Sequence, residues 1–339
     1  MQKFDKDSHK INVIIFIILI VYVILFSHLN RNPDQTFKKS HRIGFGISTK
    51  ADPIYWTKEL NATWYLDWKS TPIKADEKPE YWQMIRLSKE GFRPSANEII
   101  KIAINYPGQT WIIGNEPDNI YQDNIEYAQF TQLYHHLYYL IKRYDPTSKI
   151  AIGAISQPTP LRLRYLDLVL TEYKRSFNQK LPVDWWTLHA YVLREEKDSW
   201  GADIPPGFQE SKGTLYEIEQ HSDISTFITN ILNFRSWMKN NGYQNTPLAI
   251  TEFGILLPKE FGFTPDRVAE YLSLTFDWLS TGKDTKIGFP KDDYLIVQKF
   301  AWFSLGDVIY PVADLVDFST MELTPIGEQF RKSSLSIDK

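Results

Sequence analysis

The strongest constraint on the fold is an alternation of short apolar runs with longer amphipathic segments, which begins near Arg42. The runs are rich in branched and aromatic residues, as strands are, and the segments between them carry apolar residues at helical spacing. The eight predicted strands cover residues 43 to 47, 63 to 68, 81 to 87, 111 to 118, 149 to 156, 183 to 192, 247 to 254 and 300 to 307. This order predicts consecutive βα units around a parallel sheet.

The clearest predicted helix covers residues 125 to 144 and stops before an Asp-Pro pair. Other helices are predicted at 96 to 104, 163 to 173, 224 to 238, 267 to 279 and 324 to 333, the last with Thr324 as its cap and Pro325 in its first turn. Eight βα pairs from Arg42 onward predict an α/β chain folded as a (β/α)8 TIM barrel. An open doubly wound sheet is the alternative, but IGFGIST after the first strand lacks the third glycine of a phosphate-binding turn.

The N-terminus contains an uncharged apolar stretch between residues 13 and 26. With its neighbours it forms a segment, 11 to 29, that can span the ~30 Å hydrocarbon core of a bilayer. We therefore expect a short tail at 1–10, a single transmembrane signal anchor at 11–29, a linker at 30–41 and the barrel at 42–335. A cleaved signal peptide is the alternative, although FSHLNRNPD lacks a small-x-small site. Basic residues on the two sides balance, so they do not fix the orientation.

Composition excludes several kinds of site. The 339 residues include no cysteine, which rules out disulfides, thiolate zinc sites and cysteine nucleophiles. A net charge of -3 without a basic cluster gives no reason to expect a nucleic-acid partner. The adjacent His135 and His136 diverge by ~100° on a helix and cannot chelate one ion. The sequence contains no HExxH, P-loop or Gly-x-Ser-x-Gly motif, so we expect neither a metal nor a cofactor.

Two carboxylates close predicted strands. Glu116 lies near the end of WIIGNEPD in the fourth strand, and Glu252 lies near the end of PLAITEFG in the seventh. Taken singly, the first motif could be a strand-to-helix turn capped by Asn115 or Asp118, and Glu252 could be a solvated loop residue. In a TIM barrel, however, both strand ends face the active site. Two carboxylates across a barrel mouth suit glycoside hydrolysis.

GNEPD and ITEFG resemble the acid/base and nucleophile signatures of clan A glycoside hydrolases. The aromatic strand ends WYLDW, YWQMIRL, LHAY and FAWF are similar to those of the glycosyl hydrolase catalytic core family, which includes endo-β-1,3-glucanases. The resemblance covers about Arg42 to Arg331. One departure is that many clan members place an arginine near the nucleophile on the second strand, whereas Arg86 falls on the third.

The resemblance implies a role for each of four polar residues. Glu116 would be the acid/base and would need a raised pKa, while Glu252 would stay ionised as the nucleophile of a retaining mechanism. Asn115 would hydrogen-bond the 2-hydroxyl of the sugar. Tyr191 would hydrogen-bond Glu252 and hold its orientation.

Further residues are expected to contact substrate. Trp302 and Trp68 would form an aromatic platform under a sugar ring, although a place in the barrel core is the other interpretation. His189 is expected to be a substrate or supporting contact rather than a catalyst, and Arg86 is included in the substrate-binding set. The long stretch from Arg194 to His221 is expected to overhang the mouth as a substrate-shaping loop or lid.

The sequence therefore predicts a membrane-anchored, monomeric, endo-acting retaining glycoside hydrolase. Its substrate would be a β-linked glucan or related polysaccharide, and its barrel would lie outside the cytoplasm, where such polymers are found. Two alternatives stay open. One is a non-catalytic polysaccharide-binding barrel, and the other is a transglycosylase that uses the same residues.

Overall fold

The structure, a computed structural model, describes residues 41–70 and 79–337. The predicted tail, the predicted membrane segment 11–29 and the predicted linker up to residue 40 lie outside the described residues. Within the two described ranges, every helix is too short or too polar to cross a bilayer.

Eight parallel strands form the centre of the fold. They are β1 Ile43–Gly46, β2 Trp64–Leu66, β3 Glu80–Ser88, β5 Thr110–Ile113, β6 Lys149–Ile152, β7 Trp186–His189, β8 Leu248–Phe253 and β9 Lys299–Trp302. Their order in the sheet is β6-β5-β3-β2-β1-β9-β8-β7. The two ends of this order meet through two isolated parallel bridges, Ala151 with Trp185 and Ile155 with Leu188. The strands therefore form the ring of a TIM barrel, as predicted.

Three short strands lie outside the ring and were not predicted. Strand β4, Gly91–Arg93, folds back antiparallel on the end of β3. Strands β10, Val316–Asp317, and β11, Glu322–Leu323, form a separate antiparallel pair. Each has only two or three residues, which is too short to produce a recognisable period.

Seven helices surround the ring in the described part of the chain. They are α1 Pro53–Glu59, α2 Ala96–Asn105, α3 Tyr127–Tyr144, α4 Pro160–Phe177, α5 Ile224–Asn240, α6 Pro265–Thr281 and α7 Pro325–Ile337. All six predicted helices are present, and α1 was not predicted. The predicted cap of α7 is confirmed, since the Thr324 hydroxyl accepts a hydrogen bond from the Gly327 N–H at 3.1 Å.

The hydrophobic core lies inside the ring and between the ring and the helices. Every residue of β1, β5, β7 and β8 is buried, because both faces of these strands are covered. Several predicted strands extend too far at their carboxyl ends. Strand β5 stops at Ile113, since Gly114 and Glu116 have φ of 93° and 45°, which no strand accommodates.

Candidate active site

A cavity of 550 Å³ lies at the carboxyl ends of the parallel strands. Six of the eight residues predicted for the site line it, namely Trp68, Arg86, Asn115, Glu116, Tyr191 and Glu252. His189 is fully buried and contacts both glutamates. Trp302 is buried and does not line this cavity. The barrel therefore brings together residues that are more than 180 positions apart in the chain.

Glu116 is directed into the cavity by an unusual backbone turn after β5. Its φ of 45° lies in the left-handed region, which is costly for a residue with a β-carbon. The turn needs close backbone contact with the next strand, since a Cβ added to Gly153 would lie 2.6 Å from the Gly114 carbonyl. The Glu116 N–H then donates to the Ala154 carbonyl at 2.9 Å. Such strained positions cluster at functional sites.

Each carboxylate oxygen of Glu116 has a partner. Oε1 lies 2.7 Å from Nδ1 of His189. Oε2 accepts a hydrogen bond from the Asn119 amide at 2.6 Å, and the same amide contacts the Ser156 hydroxyl at 3.1 Å. Glu116 is only 5% exposed, so these contacts replace most of its hydration.

Glu252 is held from two sides. The Trp68 indole donates to Oε1 at 2.7 Å, and the Tyr191 hydroxyl donates to Oε2 at 3.1 Å, the contact that the resemblance implied. Trp68 reaches this position with a left-handed φ of 55°. Two donors from different loops fix the plane of the carboxylate and stabilise its ionised form.

His189 lies between the two glutamates. Its Nε2 is 3.3 Å from Oε1 of Glu252. One carboxylate oxygen of each glutamate and one ring nitrogen of His189 all lie within 4.8 Å of one another, a spacing that could also hold a metal ion. However, Glu116 already pairs with Nδ1, and Glu252 already accepts from Trp68 and Tyr191. The cluster is thus largely satisfied by its own hydrogen bonds.

The charges of this cluster shift all three pKa values. Burial lowers the pKa of His189, but the charges of Glu252 and Glu116 outweigh burial and raise it. Burial raises the pKa of Glu116, yet the hydrogen bond and charge of His189 bring it below its usual value. Burial raises the pKa of Glu252, and the charge of Glu116 adds to the increase.

These directions oppose the expectation that the pKa of Glu116 would be raised and that Glu252 would be the more readily ionised group. Burial raises the pKa of both carboxyl groups, but only Glu116 has a hydrogen bond with His189, at 2.7 Å, while Nε2 of His189 lies 3.3 Å from Glu252. This hydrogen bond stabilises the charge of Glu116, and the charge of Glu116 in turn disfavours that of Glu252.

Trp302 does not form the expected aromatic platform. It is fully buried, its indole donates to the Ala313 carbonyl at 2.9 Å, and its ring packs 5.3 Å from that of Phe253. The next residue, Phe303, lines the cavity instead, with its ring 5.6 Å from that of Trp68. Neighbouring residues of an extended chain point to opposite sides, which explains the one-residue error.

Arg86 lies on the third strand of the ring, so the departure from the family pattern is real. Its Nε donates to Asp123 at 2.7 Å and its Nη2 to Gln122 at 3.1 Å. Arg86 thus lines the cavity on the side of Asn115 and Gln122, and within the described part of the chain its side chain forms no hydrogen bond or ion pair with Glu252.

The loop that follows β7 overhangs the cavity, as the sequence predicted. Ser199, Trp200 and Gly201 line one wall, and none of them was predicted individually. Other lining residues that the sequence reasoning missed are Tyr121, Gln122, Asn119, Phe303 and Tyr310. All lie in loops, where no period marks which side chain points inward.

A buried ion-pair network fixes this loop. Arg162 on α4 is fully buried and bonds to Asp118 and to Glu195, the latter at 2.7 Å. It also donates to the carbonyls of Ala202 and Asp203 at 2.7 and 2.8 Å. Asp118 lies two residues after Glu116, so one guanidinium joins the turn that carries Glu116 to the loop that carries Trp200.

His221 links two loops at the mouth and predicts a pH-dependent stability. Its Nδ1–H donates to the Val192 carbonyl at 2.8 Å, and its Nε2 accepts from the Leu256 N–H at 2.9 Å. Burial lowers the pKa of His221 to about 4. Between the ordinary histidine pKa of ~6.5 and pH 4, the unfolded chain binds a proton that the folded chain refuses, so this contribution to stability falls as pH falls, by up to ~3 kcal/mol.

Urea unfolding at pH 7.5 and pH 4.5 measures the effect. His221→Asn is expected to be less stable than the wild type at pH 7.5 and to lose most of that difference at pH 4.5. His136→Asn, which alters an exposed histidine, is the control. A penalty for His221→Asn that is equal at both pH values contradicts the prediction.

The fold is a TIM barrel, and its cavity contains two buried carboxylates. No profile of a known protein family and no curated protein matches the chain. Solved structures do. An endo-β-1,3-glucanase of GH128 subgroup II from Sorangium cellulosum has a TM-score of 0.58 and 15% identity, over 86% of this chain and 98% of that one.

Two further similar structures belong to other GH128 subgroups. A subgroup I endo-β-1,3-glucanase from Amycolatopsis mediterranei, in complex with laminaritriose, has a TM-score of 0.56 and 16% identity, over 86% of this chain and 99% of that one. A subgroup III curdlan-specific exo-β-1,3-glucanase from Blastomyces gilchristii has a TM-score of 0.58 and 15% identity, over 87% and 99%. These are glucanases of the kind that the sequence resembles, and at this identity the likeness establishes the fold.

Proposed function

We propose that the protein is a retaining glycoside hydrolase that cleaves β-glycosidic bonds in a glucan or related polysaccharide, with Glu116 as acid/base and Glu252 as nucleophile. The observation that carries the proposal is the spacing of the two buried carboxylates. One carboxylate oxygen of Glu116 and one of Glu252 lie within 4.8 Å of each other. Retaining enzymes hold their carboxyl groups ~5 to 5.5 Å apart, whereas inverting enzymes need ~6.5 to 9.5 Å to admit a water.

The chemistry follows from these two groups. Glu252 attacks the anomeric carbon as the glycosidic C–O bond breaks, and Glu116 gives its proton to the departing oxygen. Water then attacks the glycosyl ester, Glu116 takes the proton from that water, and Glu252 leaves as a carboxylate. The proton that Glu116 gives to the departing oxygen is supplied by Nδ1 of His189, which lies 2.7 Å from Glu116 and takes the proton back after the second step.

The rest of the cavity suits a sugar chain. Asn115 is buried and its side-chain oxygen has no hydrogen-bond partner among the described residues, so it is available to a sugar hydroxyl. Aromatic rings line the walls, and flat amphipathic rings stack on pyranose faces. They are Trp68, Tyr121, Tyr191, Trp200, Phe303 and Tyr310.

A β-1,3-glucan is the first substrate to consider. The similar structures of the Amycolatopsis mediterranei enzyme hold laminari-oligosaccharides. They include the enzyme itself with laminaritriose and variants in which one glutamate is replaced. Endo action is part of the proposal because most of these relatives are endo-acting. A membrane anchor at residues 11–29 and a barrel outside the cytoplasm are also part of the proposal, because β-glucans are found outside the cell. A monomeric state is proposed with them.

The test is hydrolysis of β-1,3-, β-1,4- and β-1,6-glucans and xylan by the full chain in detergent, followed by proton NMR of the first product. We expect cleavage of one polymer with the β-anomer formed first. Initial α-anomer contradicts retention. Binding without cleavage favours the non-catalytic barrel, and products longer than the substrate favour the transglycosylase.

A further inference from the structure

A second cavity, of 400 Å³, opens beside the candidate active site. Trp68 and Arg86 line both cavities, so the two cavities adjoin at these side chains. Trp68 also hydrogen-bonds Glu252. A glycan whose scissile bond lies at Glu252 would therefore place a neighbouring unit in the second cavity.

The charged residues that line this second cavity are all basic. Lys69, Arg86 and Arg93 line it, and its described lining contains no acidic residue. Lys69 and Arg93 are exposed, whereas the Arg86 side chain is only 20% exposed. The chain as a whole carries a net charge of -3, so this concentration of positive charge is local.

The hairpin of β3 and β4 places two of these charges directly opposite each other. Arg86 pairs in register with Arg93. Like charges at opposed positions of an antiparallel pair are destabilising unless something neutralises them. Arg86 donates from Nε to Asp123 and from Nη2 to Gln122. Its Nη1 and the guanidinium of Arg93 form no hydrogen bond with any described residue.

Free guanidinium edges beside an ammonium group are the chemistry that binds oxyanions. Arginine offers paired N–H donors that match a carboxylate or a sulfate, and lysine adds a mobile point charge. A neutral glucan would leave all these donors to water. Asp123 already pairs with Arg86, so an anionic group would neutralise Arg93 and Lys69 and accept from the remaining Nη1 of Arg86.

We propose that Lys69, Arg86 and Arg93 form a basic subsite that binds an oxyanion carried by the glycan, either a uronic acid carboxylate or a sulfate ester. This inference rests on the proposed function and narrows its substrate to an acidic polysaccharide. The charged unit lies next to the sugar that Glu252 attacks.

The test uses binding, measured by calorimetry on full-length Glu252→Gln so that no ligand is consumed. The ligands are laminarihexaose, the same oligosaccharide oxidised to uronic acid at its C6 positions, and its sulfated form. We expect at least one anionic form to bind about tenfold more tightly than the neutral one, the difference that one charge-assisted contact supplies. Preference for the oxidised form identifies a carboxylate, and preference for the sulfated form identifies a sulfate.

Arg93→Gln in the same background is expected to reduce this ratio to about one- to threefold. Arg143→Gln removes an exposed arginine at the end of α3, on the opposite end of the barrel, and is expected to leave the ratio intact. Equal binding of all three ligands overturns the basic subsite and leaves the proposed function standing. A ratio that survives Arg93→Gln and Lys69→Gln together also overturns it. Failure of every ligand to bind overturns a β-1,3-glucan as the substrate, and the subsite with it.

Discussion

Replacing Glu252 with glutamine is expected to lower kcat on the cleaved glucan by ~10⁴-fold or more. The amide cannot form the glycosyl ester, and the Trp68 and Tyr191 donors would then face a neutral group. The measurement is the initial rate of reducing-sugar release. Glu270→Gln, an exposed glutamate on α6, is the control and should keep wild-type activity.

Glu116→Gln should behave differently. An aryl glycoside with an acidic phenol needs no proton on its leaving oxygen, so this variant is expected to form the glycosyl ester rapidly and to hydrolyse it slowly. Added azide should then accelerate turnover and give a β-glycosyl azide. For a smaller variant, Glu252→Ala, azide should instead give the α-azide by direct displacement. Near-normal activity in either glutamate variant contradicts the assignment.

Replacing Arg162 with methionine is expected to lower the free energy of unfolding by ~3 to 5 kcal/mol, because Asp118 and Glu195 would stay buried without their cation. Arg164→Met is the matched control. Arg164 lies two residues further along α4 and forms an ion pair with Glu210 in which both side chains are more than one-third exposed. Its loss should cost less than ~1 kcal/mol. Urea unfolding measures both variants.

The pH dependence of this penalty separates charge from packing. Burial raises the pKa of Asp118 to about 6 even with Arg162 present, and removing the guanidinium would raise it further. The folded variant would then hold protons that the unfolded chain releases, so its stability should fall as pH rises from 5 to 8. A penalty for Arg162→Met that is constant over this range would point to lost packing alone.

Periodicity was sufficient to predict the barrel. Each of the eight parallel strands and six of the seven described helices produced a recognisable apolar pattern, and the strand order then follows from consecutive βα units. Helix α1 and strand β4 were missed because seven and three residues carry too little pattern. The carboxyl ends of the strands were overestimated, since the prediction for β5 included the polar residues that follow Gly114, where the backbone turns out of the strand.

Strand-end position also predicted most of the candidate site, but not the facing of individual side chains. Strand β9 is buried on both faces, so its sequence does not distinguish the core position of Trp302 from the cavity position of Phe303. The shifted pKa values of the glutamates were equally inaccessible. They depend on the burial of both carboxylates and on their contacts with each other and with His189, which is far from both in sequence.

The two isolated bridges that join β6 to β7 have a consequence for how such a protein can diversify. Elsewhere in the ring, longer main-chain ladders join neighbouring strands, whereas β6 and β7 meet through two isolated bridges, and the side chains around Arg162 tie the loop after β7 to the turn after β5. A lineage that altered those side chains to accept a new polymer would weaken the closure of its own scaffold. The loops after β3 and β9 do not contain the partners of Arg162. New specificities should therefore arise first on that opposite arc, where Arg93 and Tyr310 already lie.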